Sequence, residues 1–188
     1  KPLFYRTDHH WTTHGAYLAY QEFCAKLGFE PVAGLEEKVV SEDFKGTIYS
    51  KVNDYTHKGD QIVIYENPVQ QLTVYYTDTG EITDSLYNYE YLEKKDQYSF
   101  FLNNIHPLVE ITNQAAGLDR ELVLIKDSYA NCMVPFLVNH YKKIYVVDTR
   151  YYKESVSELI NQNLANTDVL LLYNMNTMDT DLGIGGIY

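Results

Sequence analysis

The period of the hydrophobic pattern changes along the chain, and each change marks an element. Between Thr12 and Gly28 the apolar positions Ala16, Ala19, Tyr20, Phe23, Cys24 and Leu27 recur three and four residues apart, the spacing of one helix face. Thr12 or Thr13 can cap the start of this helix, and Gly28 stands where a left-handed C-terminal cap is expected. Ahead of it, Leu3 to Arg6 is a short apolar-aromatic stretch that reads as a strand leading into Asp8. The run Asp8-His9-His10-Trp11 therefore falls in a strand-to-helix turn.

From about 37 to 85 the pattern is β-rich. Ile48-Tyr49, Gln61 to Tyr65 and Leu72 to Tyr76 are separated by Gly, Asn and Asp, and Asp78-Thr79-Gly80 suits a hairpin turn. This stretch predicts an antiparallel insertion or lid. Tyr87 to Gln97 reads as charged and helical, followed by Phe100-Phe101 and a short strand at Leu108 to Ile111. From Glu121 onward strands and helices alternate. Leu122 to Ile125 is a buried-type strand, followed by a helix-like run from Ser128 to His140. Lys143 to Val147 is a second strand, Ser155 to Leu164 a helix, and Val169 to Tyr173 a third strand. Three strands joined by helices predict right-handed crossovers and a mostly parallel sheet. The expectation is an α/β fold in a single domain over 1–188, with 37–85 as its β-rich insertion.

Composition narrows the function classes. A chain of 188 residues with 45% hydrophobic content is domain-sized and can bury a core, which argues against disorder. A net charge of -11 argues against nucleic acid as a partner, because phosphate binding needs clustered Lys and Arg. No apolar run is long enough to span a bilayer, and the chain opens at Lys1-Pro2-Leu3 without Met or a signal peptide. It is expected to be part of an exported protein whose signal or membrane anchor lies outside these residues. Cys24 and Cys132 fit neither a disulfide framework nor a zinc ribbon; buried thiols are expected, with one disulfide as the alternative. The 19 tyrosines suit sugar stacking, but many sit in strand-like runs where packing accounts for them.

In an open parallel sheet, ligands bind beyond the carboxyl ends of the strands. That rule selects Ser128 after the first strand, Thr149 and Arg150 after the second, and Asn174 after the third. Asp8 and His10 join them if the strand before Asp8 belongs to the same sheet. Ser128 is then a candidate nucleophile, or else the N-cap of a helix. His10 is the candidate base, oriented by Asp8 as in a serine triad, with His9 as the competitor. Asn174 and the Ser128 backbone N–H are candidate oxyanion donors, though a turn-forming Asn fits equally. Arg150 suits an anionic substrate group or a neighbouring acid. Trp11 either anchors the turn or stacks on substrate. His10 and His14 are spaced for a metal, but the H-E-x-x-H glutamate and a third ligand are lacking, while His57, His106 and His140 are scattered. No metal or cofactor is expected.

These segments resemble a known family. The DHHW protein family is named for the run that stands here as Asp8-His9-His10-Trp11. Tyr5-Arg6-Thr7, Phe44-Lys45-Gly46-Thr47, Lys126-Asp127-Ser128-Tyr129-Ala130-Asn131 and Asp148-Thr149-Arg150-Tyr151 also resemble it. That family is similar in turn to the SGNH-type acetyltransferases of alginate O-acetylation. The resemblance implies a flavodoxin-like α/β/α sandwich and a Ser128–His10–Asp8 triad acting on acetyl groups of carbohydrates, with Asn174 matching the oxyanion asparagine by position. Two departures stand out: Lys126-Asp127-Ser128 replaces the usual Gly-Asp-Ser, and Thr149-Arg150 stands where an oxyanion glycine is usual. The implied function is a carbohydrate O-acetyltransferase or acetylesterase at the bacterial cell surface, with a carbohydrate or acetyl ester as its partner. The alternative is a non-catalytic module of cell-surface polysaccharide assembly or binding. The sequence leaves acetyl donor, acceptor and oligomeric state open.

Overall fold

A computed structural model of the chain describes residues 1–52, 56–67, 70–162 and 166–187. They form two compact units, Lys1–Pro68 with Tyr87–Asn104, and Val69–Leu86 with Ile105–Tyr188.

The first unit opens with helix α1 (Thr13–Leu27). Thr12 caps it, its hydroxyl accepting from the Gly15 N–H at 3.1 Å, and Gly28 ends it in the left-handed region at φ 71°. Ala16, Tyr20 and Cys24, four residues apart, are fully buried on one face. Strand β1 (Glu36–Phe44) pairs antiparallel with β2 (Asp60–Glu66), whose Ile62 and Ile64 turn inward. Where a strand was expected at Ile48-Tyr49, the chain forms the short helix α2 (Thr47–Val52). The Ser50 N–H donates to the Gly46 carbonyl at 3.1 Å, and the Tyr49 N–H to the Thr7 carbonyl at 2.9 Å. These contacts fix a helical turn that local β-propensity does not foresee.

Leu3 to Arg6 does not extend a larger sheet. Phe4 forms a single bridge with Trp11, and the Tyr5 N–H donates to the His10 carbonyl at 3.2 Å. The segment folds back on its own continuation, so no length remains for a strand. The expected charged helix at Tyr87–Gln97 is likewise two 3-10 turns, Tyr89–Glu93 and Gln97–Phe100. A cluster of Tyr87, Tyr98, Phe100 and Phe101 supports them, with ring centroids 4.9–6.0 Å apart.

The second unit is built on a six-stranded sheet of β3 (Leu72–Tyr76), β4 (Ile82–Thr83), β5 (Leu108–Asn113), β6 (Glu121–Lys126), β7 (Lys143–Val147) and β8 (Thr167–Leu172). The strand order is β4-β3-β5-β7-β6-β8. Strand β6 runs parallel to β7 and β8, while β5, β3 and β4 add on antiparallel. The sheet is therefore mixed rather than mostly parallel. The parallel part is the one whose strands are joined by helical crossovers; the hairpin around Asp78-Thr79-Gly80 necessarily adds antiparallel strands. Gly80 takes φ 75° there, and its N–H donates to the Tyr76 carbonyl at 2.8 Å. Of the 37–85 stretch, the first part makes β1–β2 and the second part extends this sheet.

Leu108, Val123, Ile125, Tyr145 and Val147 share one buried face of the sheet with Val156 of helix α4 (Val156–Gln162). Leu122, Leu124, Ile144 and Val146 alternate to the other face and are fully buried. Each such side chain contributes about 1.5–3 kcal/mol by leaving water. The expected Ser128–His140 helix is broken into a 3-10 turn (Ser128–Cys132) and the short α3 (Val134–Leu137). Pro135 brings no N–H to a continuous ladder, so the chain tightens instead. The last part of the expected 155–164 helix, residues 163–164, lies outside the described residues. Helix α5 (Met175–Thr180) follows β8. Cys24 and Cys132 are buried thiols that are not joined in a disulfide. No helix of the described residues is long and apolar enough to cross a membrane.

Candidate functional site

The strongest polar arrangement in the first unit centres on Asp8, whose residue is 2% exposed, and His10, at 4%. Asp8 Oδ1 accepts from the His10 backbone N–H at 3.0 Å and lies 2.5 Å from His10 Nδ1. Asp8 Oδ2 accepts from the Thr47 N–H at 2.8 Å and the Thr47 hydroxyl at 3.0 Å. An ionised carboxylate only accepts, so the imidazole proton belongs on Nδ1 and the ring presents its lone pair at Nε2. Burial pushes the Asp8 carboxyl up, but the contacts with His10, His9 and Thr47 outweigh it and hold the group well below the usual carboxylate range.

Gly46 makes this geometry attainable. A Cβ at that position would stand 2.3 Å from both Cβ and Oδ2 of Asp8. In the sequence, Gly46 and Thr47 stand out only through the family resemblance. The turn is tied down from the other side by Asp60, which accepts from the backbone N–H groups of Arg6 and Thr7 at 3.0 and 2.8 Å.

The His10 ring is stacked against Tyr98 with centroids 3.6 Å apart and planes 7° from parallel, and lies 3.9 Å from the His9 ring. Two rings that close must lie on opposite faces of the imidazole. His9 is exposed, with Nδ1 2.7 Å from the Thr47 hydroxyl. Nothing in the spacing between Tyr98 and the Asp-His-His-Trp run signals this contact. Trp11 is half-buried and bridged to Phe4, within the turn.

Asp8, His9 and His10 bring potential metal-ligand atoms within 4.8 Å of one another, without His14. Both Asp8 oxygens accept from His10 and Thr47, and His9 Nδ1 meets Thr47, so the group is arranged as a hydrogen-bonded relay. A cavity of about 380 Å³ opens on its Asp8–Thr47 side, rimmed by Lys45, Lys51 and Lys95.

Ser128, Thr149, Arg150 and Asn174 all lie in the second unit, just past the carboxyl ends of β6, β7 and β8. Asp127, fully buried, caps the 3-10 turn by accepting from the Tyr129 N–H at 2.9 Å, so the cap is Asp127 and not the half-buried Ser128. Asp127 also accepts from the backbone N–H of Asn174 at 3.0 Å and from its side-chain amide. Asn174 is thus drawn to the residue preceding Ser128, while its carbonyl oxygen caps α5 by accepting from the Thr177 N–H at 2.9 Å. Thr149 turns away to Tyr173 and Asp181, at 2.6 and 2.8 Å.

Arg150 clamps Asp148 with two donors at 2.8 and 2.6 Å, which raises its already high pKa further. Lys126, directly before Asp127, is buried with its ammonium 3.4 Å from the same carboxylate. Burial pushes the Lys126 pKa down, partly opposed by Asp148. A second Asp–His pair stands at this rim: His106 Nδ1 lies 2.8 Å from Asp78 Oδ1. The neighbouring Pro107 carbonyl accepts from the Asp148 N–H at 3.0 Å, which sets His106 just beyond the end of β7. Sequence spacing gave no hint of that pair, because the hairpin and β5 had to be placed in the sheet first.

The DHHW protein family model matches residues 1–147, which includes both the Asp8–His10 pair and the Ser128 turn. The chain belongs to the DHHW protein family. Among solved structures, this DHHW protein is similar to a DHHW family protein from Eubacterium siraeum, with a TM-score of 0.79 and 25% identity over 100% of this chain and 63% of that one. It is also similar in fold to Bacillus cereus PatB1 with a sulfonyl adduct (TM-score 0.72, 22% identity, covering 94% of this chain and 62% of that one). A second PatB1 structure gives a TM-score of 0.71 at 23% identity, over 94% and 64%. The chain spans less than two thirds of the length of these proteins. No curated protein matches the sequence significantly.

Proposed function

We propose that this DHHW protein carries the acyl-transfer chemistry of an SGNH-type carbohydrate O-acetyltransferase or acetylesterase acting at the bacterial cell surface. Ser128 attacks the acetyl carbonyl while His10 Nε2 takes its proton, and Asp8 holds the imidazole in the tautomer that leaves Nε2 able to accept. His10 returns that proton to the donor oxygen as its bond to the acetyl carbon breaks, leaving acetyl-Ser128; a sugar hydroxyl or water then attacks this ester, giving its proton to His10, which passes it to Ser128 Oγ as the acetyl leaves. The observation that carries this reading is the buried Asp8–His10 pair, with Nδ1 2.5 Å from a carboxylate that makes only acceptor contacts. An exposed, merely structural Asp–His contact requires neither that burial nor a fixed tautomer. The turn after β6 supports a nucleophile because Asp127, and not Ser128, does the capping. The sulfonyl adduct described for PatB1 suggests a probe, since an activated hydroxyl attacks sulfonyl electrophiles.

A non-catalytic module is the rival, and one observation favours it. The Asn174 amide is directed to Asp127 and Thr177 rather than held for an oxyanion, and Arg150 is clamped to Asp148. One experiment separates the two. The purified protein is given a chromogenic acetyl ester and, separately, a sulfonyl fluoride followed by mass spectrometry. Expected are turnover and labelling that vanish in Ser128→Ala, and turnover that falls steeply in His10→Ala but not in His106→Ala. Absence of wild-type turnover, or its survival in Ser128→Ala, sinks the catalytic reading. Loss on His106→Ala with His10→Ala active assigns the base to the second pair instead.

A further inference from the structure

His10 is held by more than its carboxylate. Tyr98 lies flat against its ring, 3.6 Å away and nearly parallel, and is itself 5% exposed. That position is braced by its surroundings. Tyr98 packs on Phe101 at 5.3 Å within the aromatic cluster, Ser99 donates to Asp96 at 2.7 Å, and the preceding Gln97 accepts from Ser41 of β1 at 2.8 Å. A side chain supported on so many sides sets the plane in which the imidazole lies, so it governs where Nε2 points.

The stack also has an electrostatic consequence. The face of a phenol ring is electronegative and attracts a cation placed over it within about 6 Å. Neutral imidazole gains little from this; imidazolium gains much more. We propose that Tyr98 is a positioning residue that fixes the His10 ring and stabilises the imidazolium formed when His10 takes a proton, and this rests on the role of His10 as base given above. Other charged groups near the ring act alongside it. Asp8 favours the cation through Nδ1, a protonated His9 at 3.9 Å opposes it, and Lys45, Lys51, Lys95 and Asp96 line the cavity beside Asp8. None of these changes when the Tyr98 ring is replaced, so a substitution there isolates its share.

The decisive measurement is an NMR titration of the His10 ring in the whole chain, assigned with His10→Ala. In Tyr98→Leu the midpoint is expected to fall, by about two- to thirtyfold in the protonation constant. Tyr98→Phe keeps the ring face and is expected to titrate close to wild type. The acid limb of acetyl-ester kcat should move to lower pH in Tyr98→Leu by the same factor, with KM little changed. Should Tyr98→Leu fail to fold, Tyr98→Phe carrying a progressively fluorinated ring keeps the shape and removes the negative face; the midpoint should then fall with each fluorine. An unchanged midpoint in Tyr98→Leu or across the fluorinated series overturns the proposal, as does Tyr98→Phe behaving like Tyr98→Leu. The titration needs no turnover, so a protein without acetyl-ester activity overturns the catalytic reading while leaving the Tyr98–His10 coupling measurable.

Discussion

Replacing Asp8 by Asn tests the centre of the site with a change of almost no volume. The carboxylate accepts four hydrogen bonds, two at Oδ1 from His10 and two at Oδ2 from Thr47. An amide has one oxygen and one NH₂, so either placement sets an NH₂ against backbone N–H. With the NH₂ toward Thr47, the Thr47 N–H loses its acceptor. With the NH₂ toward His10, the His10 N–H loses its own, and Nδ1 must accept, which moves the ring proton to Nε2 and takes away the lone pair there. A buried donor without its partner costs about 1–3 kcal/mol, which at this chain length lowers Tm by roughly 2–12 °C. Under the catalytic reading, the wrong tautomer reduces kcat by about three to four orders of magnitude.

The pH dependence of stability follows from the depressed carboxyl. Because the folded-state pKa of Asp8 lies below the unfolded value of about 3.9, its stabilisation is complete above that value and is lost as pH falls toward the folded pKa. The stability gap between wild type and Asp8→Asn should therefore close on acidification below about pH 4. Calorimetry across that range, with acetyl-ester kinetics at neutral pH, checks both effects. A variant that melts with wild type at pH 7, or a gap that does not narrow in acid, would refute the assignment of Asp8 as a buried acceptor-only carboxylate.

Two further outcomes follow from neighbouring contacts. Gly46→Ala places a methyl 2.3 Å from Asp8 Cβ and Oδ2, so Asp8 must move; about 1–3 kcal/mol of overpacking is expected, together with loss of the downfield Nδ1 proton signal of His10, whereas a retained signal contradicts the packing. Asp148→Ala leaves the buried Lys126 ammonium and the Arg150 guanidinium without their carboxylate and should destabilise by about 3–5 kcal/mol in chemical denaturation. Adding Lys126→Met should recover part of that loss, and a double variant no more stable than Asp148→Ala would show that Lys126 is not the uncompensated charge.

The sequence by itself determined what depends on local periodicity and chain punctuation. Helix α1 with its Thr12 cap and Gly28 stop, the strands β3, β6 and β7, the Asp78-Thr79-Gly80 turn, and the location of Ser128 and Asn174 past strand ends were all legible, because period, caps and turn residues are properties of neighbouring positions. So was the pairing of Asp8 with His10, two residues apart in one turn. Tertiary structure decided whatever joins distant segments. It placed Thr47 and Gly46 against Asp8, laid Tyr98 on the His10 ring, brought Asp78 to His106, and set Lys126 beside Asp148. It also turned Ile48-Tyr49 into a helix and made the sheet mixed. The physical reason is the same in each case. A strand's neighbour and a buried polar group's partner are chosen by which distant segment can satisfy them, and no local propensity encodes that choice.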